Sequence, residues 1–180
     1  SKAVEFGAVA VGCPSTGTLA ASVAAHAAKA GLPCYIFIPS NTELNKVLQA
    51  SVYGARIIAV DGTYDQANRL AAQVAQEDGW AFANINLRSY YVEGSKTLVF
   101  EICEQLGWEA PDAIVIPLGS GALFCAIKRG LDQFKRVGLI EDKPTRLYGA
   151  QGEGSAPIVD AFKAGWDDVL PIEYPDTVAK

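Results

Sequence analysis

The stretch "CPSTGTLAASVAAHAAKAGLP", residues 13–33, joins a predicted strand to a predicted helix through an unusual turn. The apolar run Ala8–Cys13 is typical of a buried strand, and the alanine-rich segment Thr18–Ala30 predicts a helix that a glycine and a proline end. Ser15, Thr16 and Gly17 lie between them. This turn therefore concentrates hydroxyl groups and backbone amides at the start of a helix.

The same alternation of strand and helix continues along the first half of the chain. Further strands are predicted at Cys34–Ile38 and Arg56–Val60, and a segment with helical spacing of apolar residues follows each of them. Three strand–helix units in succession predict a parallel sheet with helices on both faces. Because parallel crossovers are right-handed, we expect a small, doubly wound α/β domain over residues 1–85.

Two pairs of residues have the spacing of a capping box, in which a hydroxyl and a Glu or Gln three positions later cap a helix start. Ser40 and Glu43 form the first pair, and Thr63 and Gln66 form the second. We expect helices to begin at both places.

The stretch Phe82–Ser95 breaks this rhythm, and its Asn, Tyr and Gly content predicts a crossing into a second domain. Strand–helix units then resume over residues 86–180, which we interpret as part of a larger α/β domain with a parallel sheet. The predicted elements are a helix at Lys96–Leu106, a strand at Ala113–Leu118, a helix at Ala122–Lys135, a strand at Arg146–Gln151 and a helix at Ala156–Ala164.

Composition excludes several classes of function. The chain has 180 residues, half of them hydrophobic, and a net charge of −5. An acidic chain without a basic stripe is a poor nucleic-acid binder, so we expect no nucleic-acid partner. No apolar run approaches the roughly 20 residues of a membrane span, and we find no signal-peptide pattern. An anionic ligand would therefore be held by local geometry.

The cysteines and the single histidine do not predict a metal site. The four cysteines, at positions 13, 34, 103 and 125, have no CxxC spacing, and the only histidine, His26, lies within a predicted helix. We interpret the cysteines as free thiols in a reducing cytoplasm and His26 as structural.

A second strand-to-helix turn resembles the one after Cys13. In "PLGSGALFCAIK", residues 117–128, Gly119, Ser120, Gly121 and Ala122 separate a buried strand from a helix. Such turns place free N–H groups and the positive end of a helix dipole at the carboxyl edge of a parallel sheet, where ligands bind in open α/β folds. We call Ser15–Thr18 the first turn and Gly119–Ala122 the second turn.

Neither turn matches a common nucleotide motif. Phe124 occupies the place of the third glycine of a dinucleotide fingerprint, and the GK[ST] of a P-loop is absent. A hydroxyl-rich turn of this kind is also compatible with a simple helix cap. The presence of two such turns favours a ligand with two anionic groups.

Five segments of the chain together resemble threonine synthase, a pyridoxal-phosphate enzyme of the tryptophan-synthase-β (fold type II) superfamily. They are "STGTLAASVAAHAAKAGLP", "GTYDQANRLA", "YYVEGSKTLVFEICEQLG", "VIPLGSGAL" and "GAQGEGSAPIV". The resemblance implies a carbon–oxygen lyase acting on phosphate that converts O-phospho-L-homoserine and water to L-threonine and phosphate. It also implies a pyridoxal 5'-phosphate cofactor, a small-molecule substrate, a homodimer and a cytoplasmic enzyme of threonine biosynthesis.

The resemblance assigns roles to both turns. The residues implied to surround the cofactor phosphate are Gly119, Ser120, Gly121, Ala122 and Leu123. Ser15, Thr16 and Gly17 correspond to the loop that grips the substrate carboxylate. Arg88 and Lys96, near the predicted domain crossing, are candidates for the substrate phosphate, and solvated surface charge is the alternative for each.

Two departures from the family pattern bear on chemistry. Thr18 stands where the family usually has an asparagine that contacts the cofactor ring hydroxyl, and a threonine hydroxyl is shorter than that amide. The family's Schiff-base lysine lies upstream of a segment like the one that begins at Ser1, and no lysine of this chain matches it. The partner of the pyridine nitrogen lies downstream of "PDTVAK". We therefore expect no catalytic lysine within these residues and weak or no turnover by the chain alone.

Two other functions stay open from sequence. One is a non-catalytic α/β module that binds a phosphate ligand or a partner. Tighter binding of a nucleotide than of pyridoxal phosphate would favour this module. The other keeps the superfamily and changes the reaction to that of a threonine or serine dehydratase.

Overall fold

The computed structural model describes residues 2–172 and Asp176, without the side chains of Leu44 and Lys46. The chain divides into two compact units, Ser1–Tyr91 and Val92–Lys180, each with its own parallel sheet. The sequence-based division after residue 85 stays a prediction about domains, and the compact units divide later along the chain, after Tyr91.

The first unit contains a four-stranded sheet in which all neighbouring strands are parallel, in the order β3-β2-β1-β4. Its elements are α1 (Lys2–Glu5), β1 (Val11–Pro14), α2 (Thr18–Ala30), β2 (Cys34–Pro39), α3 (Leu44–Ser51), β3 (Arg56–Val60), α4 (Tyr64–Glu77), β4 (Ala81–Phe82) and the start of α5 (Arg88–Gly94).

Helices cover both faces of this sheet. On one face, Ala20, Ala24 and Ala27 of α2 pack against β1 and β2, and their small side chains let the helix approach the sheet closely. On the other face, alanines of α4 pack against Phe37 and Phe82, which are fully buried. The side chains of a strand alternate between faces, so β2 supplies both cores.

The helix caps and the start of β1 agree only in part with the sequence-based expectations. The capping box of Thr63 and Gln66 is present, with both of its hydrogen bonds. The predicted box at Ser40 is wrong, because the N–H of Ser40 extends the sheet by donating to the carbonyl of Val60, and α3 begins only at Leu44. The strand predicted from Ala8 begins at Val11, since the N–H of Ala8 is used to close α1.

The second unit is built around two parallel strands, β5 and β6. After the end of α5, its elements are α6 (Thr97–Gln105), β5 (Ala113–Pro117), α7 (Ala122–Arg136), β6 (Arg146–Ala150), a 3₁₀ turn (Glu153–Ser155) and α8 (Pro157–Ala164). These positions agree with the predicted elements to within a residue or two. The helix α5 and the short strand β4 were not predicted.

The core of the second unit lies on one face of its sheet. Val99 and Cys103 of α6 pack with Ile116 of β5 and with Ile127 and Leu131 of α7. The opposite face is exposed, as Val115 and Tyr148 show. The close packing of α6 against α7 depends on Gly130, where an added Cβ would clash with Val99 Cγ1.

The fold is therefore α/β with parallel sheets, and the four-stranded sheet is doubly wound, as predicted. Among the described residues, no helix combines the length and apolarity that crossing a bilayer demands.

We expect Gly130→Ala to destabilise the second unit by about 1–3 kcal/mol, because the added methyl group overpacks the contact with Val99. Urea unfolding followed by circular dichroism measures the effect. Gly94→Ala is the matched control, since no atom lies within 4 Å of its added Cβ. Equal stability of the two variants would contradict the packing argument.

The thiols give a second prediction. Burial raises the pKa of Cys13 to about 12, with a smaller contribution from Cys34, and raises the pKa of Cys34 to about 11, whereas Cys125 is exposed. Only the thiolate reacts with alkylating agents, so both buried thiols stay protonated and unreactive as the pH rises from 8 to 10.

We therefore expect iodoacetamide to modify Cys125 first in the folded chain over this pH range. Mass spectrometry of the tryptic peptides measures the order of labelling. In urea all four cysteines should react at similar rates, and labelling of Cys13 as fast as Cys125 in the folded chain would refute this order.

Candidate functional site

The first turn connects β1 to α2 at the carboxyl end of the central strands. Ser15 Oγ accepts a hydrogen bond from the N–H of Gly17 at 3.3 Å, which closes the loop on itself. Gly17 is the N-cap of α2 in extended conformation, with no side-chain cap. Among the described residues, the N–H groups of Thr16, Thr18 and Leu19 have no hydrogen-bond partner. These amides can bind one anionic group such as a carboxylate.

The carbonyl just before this turn is held by side chains from two other elements. The hydroxyl of Tyr64 donates to Pro14 O at 3.0 Å, and Nδ2 of Asn84 donates to the same oxygen at 3.4 Å. Oδ1 of Asn84 is buried and has no hydrogen-bond partner among the described residues. The carbonyl that precedes the first turn is therefore hydrogen-bonded by residues distant in sequence.

Tyr64 is itself fixed in place as the first residue of α4. The helix start is capped by Thr63, whose Oγ1 accepts from the N–H of Gln66, while Gln66 Oε1 accepts from the N–H of Thr63 at 2.7 Å. Burial raises the pKa of the Tyr64 hydroxyl, with smaller contributions from Cys13 and Asp65. The phenol thus keeps the proton that it donates to Pro14.

The second turn connects β5 to α7 in the second unit. Consecutive backbone N–H groups from Gly119 to Phe124 lack a hydrogen-bond partner within the part of the chain that the structure describes, and the helix ladder starts only with Cys125 donating to Gly121 O at 3.0 Å. Gly121 has a φ of 78°, a left-handed conformation that favours glycine. Gly119 has open space where a Cβ would lie.

This second turn fits a phosphate group. A phosphate dianion offers several acceptor oxygens and gains from the positive end of the dipole of α7, which is 15 residues long. Ser120 is exposed and its hydroxyl makes no hydrogen bond among the described residues. The donors that such a group needs are therefore present without any lysine or arginine in the turn.

The two cationic side chains predicted for the substrate phosphate, Arg88 and Lys96, differ in whether they already have an ion-pair partner. Nζ of Lys96 lies 2.6 Å from Glu93 Oε1 and 3.3 Å from Gln133 Oε1, and only 12% of the Lys96 side chain is exposed. Arg88 begins α5, is exposed, and makes no side-chain hydrogen bond or ion pair within the described residues. Of the two, Arg88 has the guanidinium that is available to a ligand.

The structure places the residues of each turn next to one another within one unit. Thr18, predicted with the cofactor residues of the second turn, lies in the first unit, and Lys96, predicted with the substrate residues, lies in the second. Ser15, Thr16, Gly17 and Thr18 form the first turn, and Gly119, Ser120, Gly121, Ala122 and Leu123 form the second turn and the start of α7. Their assigned ligands stay predictions.

Sequence reasoning missed Tyr64 and Asn84. Its place in the predicted topology could have pointed to Tyr64, because α4 begins at the same sheet edge at which β1 ends.

Comparison with known proteins identifies the family. A family model described as "Pyridoxal-phosphate dependent enzyme" matches residues 1–180. Threonine synthase of Methanocaldococcus jannaschii is 38% identical over 99% of this chain and 44% of its own length. Threonine synthase of Synechocystis sp. is 39% identical, again over 99% of this chain and 44% of the relative. The chain thus spans about half the length of the curated relatives that it matches.

Solved structures show the same fold. Maize serine racemase superposes with a TM-score of 0.75 at 25% identity, covering 94% of this chain and 48% of the racemase. A fungal L-serine ammonia-lyase from Rhizomucor miehei gives a TM-score of 0.76 at 21% identity, covering 99% of this chain and 54% of that one. These neighbours have the fold type II architecture, as predicted.

The free amides of the second turn suit the phosphate of the cofactor after which the matching model is named. Because that model covers the whole chain, this protein belongs to the family of pyridoxal-phosphate dependent enzymes.

Proposed function

We propose that this chain is part of a threonine synthase, which converts O-phospho-L-homoserine and water to L-threonine and phosphate. The relatives named threonine synthase support this reaction, at 36–39% identity over nearly the whole chain. The observation that carries the proposal is the run of amides from Gly119 to Phe124, which have no partner among the described residues and suit a phosphate-bearing cofactor. A homodimer in the cytoplasm belongs to the same proposal.

The second turn would hold the cofactor by its phosphate. Gly119, Ser120, Gly121, Ala122 and Leu123 present backbone N–H groups, and each charge-assisted hydrogen bond to a phosphate oxygen is roughly twice as strong as a neutral one. When bound, pyridoxal phosphate supplies an electron sink that stabilises a carbanion of the amino-acid substrate. The Thr18 hydroxyl, exposed at the start of α2, would donate to the ring hydroxyl.

The first turn would hold the substrate carboxylate. The N–H groups of Thr16, Thr18 and Leu19 supply donors, and the dipole of the 13-residue helix α2 favours a negative charge at this end. This arrangement fixes the amino acid by its carboxylate, so its orientation is set by backbone atoms. Arg88, whose guanidinium fork matches the geometry of a phosphate, would bind the leaving phosphate.

Turnover assays separate this reaction from that of a dehydratase. A polypeptide of the relatives' full length that carries this segment should release phosphate and L-threonine from O-phospho-L-homoserine. Conversion of L-threonine to a 2-oxo acid, without activity on the phosphate ester, would instead indicate a dehydratase. The 180-residue chain alone should bind pyridoxal phosphate with weak or no turnover, because none of its lysines matches the family's Schiff-base position.

We expect Gly119→Asp to weaken the binding of pyridoxal phosphate and of inorganic phosphate by at least roughly tenfold, because a carboxylate a few ångströms from a dianion repels it by a few kcal/mol. The fold should tolerate the substitution, since Gly119 has no positive φ and no atom lies within 4 Å of an added Cβ. Isothermal titration calorimetry measures the affinities.

Gly119→Asn is the matched control, because it has nearly the same shape and no charge. It should retain most of the phosphate affinity. Equal loss in both variants would argue that bulk and not charge matters there, and unchanged affinity in Gly119→Asp would place the phosphate elsewhere.

Arg88 gives a further prediction. Arg88→Gln should raise the dissociation constant for O-phospho-L-homoserine roughly 3- to 10-fold and leave that for L-homoserine unchanged, because it removes one charged partner of the ester phosphate. Equilibrium binding to the purified chain with each amino acid measures the difference.

Lys96→Gln serves as the comparison, since the Lys96 ammonium already pairs with Glu93. This variant should change binding of the two amino acids equally, if at all. Loss of discrimination in Lys96→Gln, with Arg88→Gln like the unchanged chain, would reverse the assignment.

A further inference from the structure

The hydrogen bonds along one edge of β1 stop abruptly before the first turn. On the β4 side, Ala10 O accepts from the N–H of Ala81 at 3.0 Å, and Gly12 O accepts from the N–H of Ala83 at 3.1 Å. Alternate carbonyls of a strand point to the same side, so Pro14 O is the next acceptor in this series. The N–H of Ile85, which a continued ladder would offer, bends back to Phe82 O at 3.2 Å.

Side chains replace the missing ladder bond. The Tyr64 hydroxyl at 3.0 Å and Nδ2 of Asn84 at 3.4 Å both donate to Pro14 O, from the start of α4 and from the loop after β4. Tyr64 makes the shorter contact and stands on a helix start that a complete capping box holds. The ring is therefore anchored at one end by α4 and at its hydroxyl by β1.

This carbonyl is linked to the first turn through a single peptide unit. The C=O of Pro14 and the N–H of Ser15 belong to one planar peptide unit, so fixing the direction of one fixes the other. Pro14 is fully buried, so its surroundings hold this peptide in place. The direction of this peptide is the starting direction for the residues of the first turn.

We propose that Tyr64 is a positioning residue that holds the Pro14 carbonyl, and through it orients the amides of Ser15–Leu19 for an anionic group of the ligand. Tyr64 acts through the backbone and touches no ligand in this scheme. The nature of the anion, a substrate carboxylate, rests on the proposed function, whereas the control of the turn by Tyr64 does not.

The test compares Tyr64→Phe with the unchanged chain by ¹⁵N-edited NMR. The variant removes only the hydroxyl, so the ring should still pack at the start of α4. We expect the amide resonances of Ser15, Thr16 and Gly17 to shift, and amide exchange at Gly17 to accelerate several-fold, because its bond to Ser15 Oγ loosens. Tyr53→Phe is the control, as Tyr53 is half exposed and its hydroxyl has no hydrogen bond among the described residues.

Ligand binding gives the second readout. Tyr64→Phe should raise the dissociation constant for O-phospho-L-homoserine roughly 3- to 10-fold, the range that one lost hydrogen bond produces. The Tyr64→Phe, Asn84→Ala double variant should lose more than the product of the two single losses, because each donor partly compensates for the other at one carbonyl.

The outcomes separate this proposal from the proposed function. Unchanged Ser15–Gly17 resonances in Tyr64→Phe overturn the positioning role, even if the chain binds O-phospho-L-homoserine. Shifted resonances in a chain that does not bind this amino acid support the positioning role and contradict the proposed function. Reduced urea stability with unchanged affinity indicates a structural role only and also overturns the proposal.

Discussion

Both candidate sites depend on backbone N–H groups that lack a hydrogen-bond partner among the described residues, at the turn between a parallel strand and the helix that follows it. The N-terminal residues of α2 and α7 leave N–H groups unpaired among the described residues, and no side chain caps either helix. An unpaired amide near the protein surface is satisfied by water or by an anion, and the helix dipole favours the anion. In a chain of net charge −5, this local field supplies the attraction that the overall charge opposes.

Small residues make these turns possible. The alanines of α2 bring its axis close to the sheet, so that the start of the helix lies directly beyond the end of β1. Gly121 adopts a positive φ that opens the second turn toward α7. Neither site needs a buried charged side chain, and none is present among the described residues. Anion binding at either turn would therefore depend on the backbone path, and the side chains would act mainly by determining that path.

Much of this arrangement follows from local sequence patterns. The apolar runs and the glycine-rich turns predict the strands of both units, because period and turn chemistry act over a few residues. The same patterns predict which residues form each turn. They do not predict β4 or the contact of Tyr64 with Pro14, since a two-residue strand has almost no pattern and the contact joins residues 50 positions apart. The Ser40 cap failed for a related reason, because pairing with β3 competes for the same residue.

The brevity of β4 also bears on how this turn changes in evolution. A ladder bond between two backbones can be made by every amino acid, except that proline cannot donate it, so most point mutations leave it in place. Here the last acceptor of β1 is served by a phenol and a carboxamide, and a single codon change can remove or redirect either donor. If these two donors orient the amides that follow, as proposed for Tyr64, single substitutions at position 64 or 84 would change the tilt of those amides in small steps. Such substitutions would change the chain direction at this end of the sheet while the four strands keep their register.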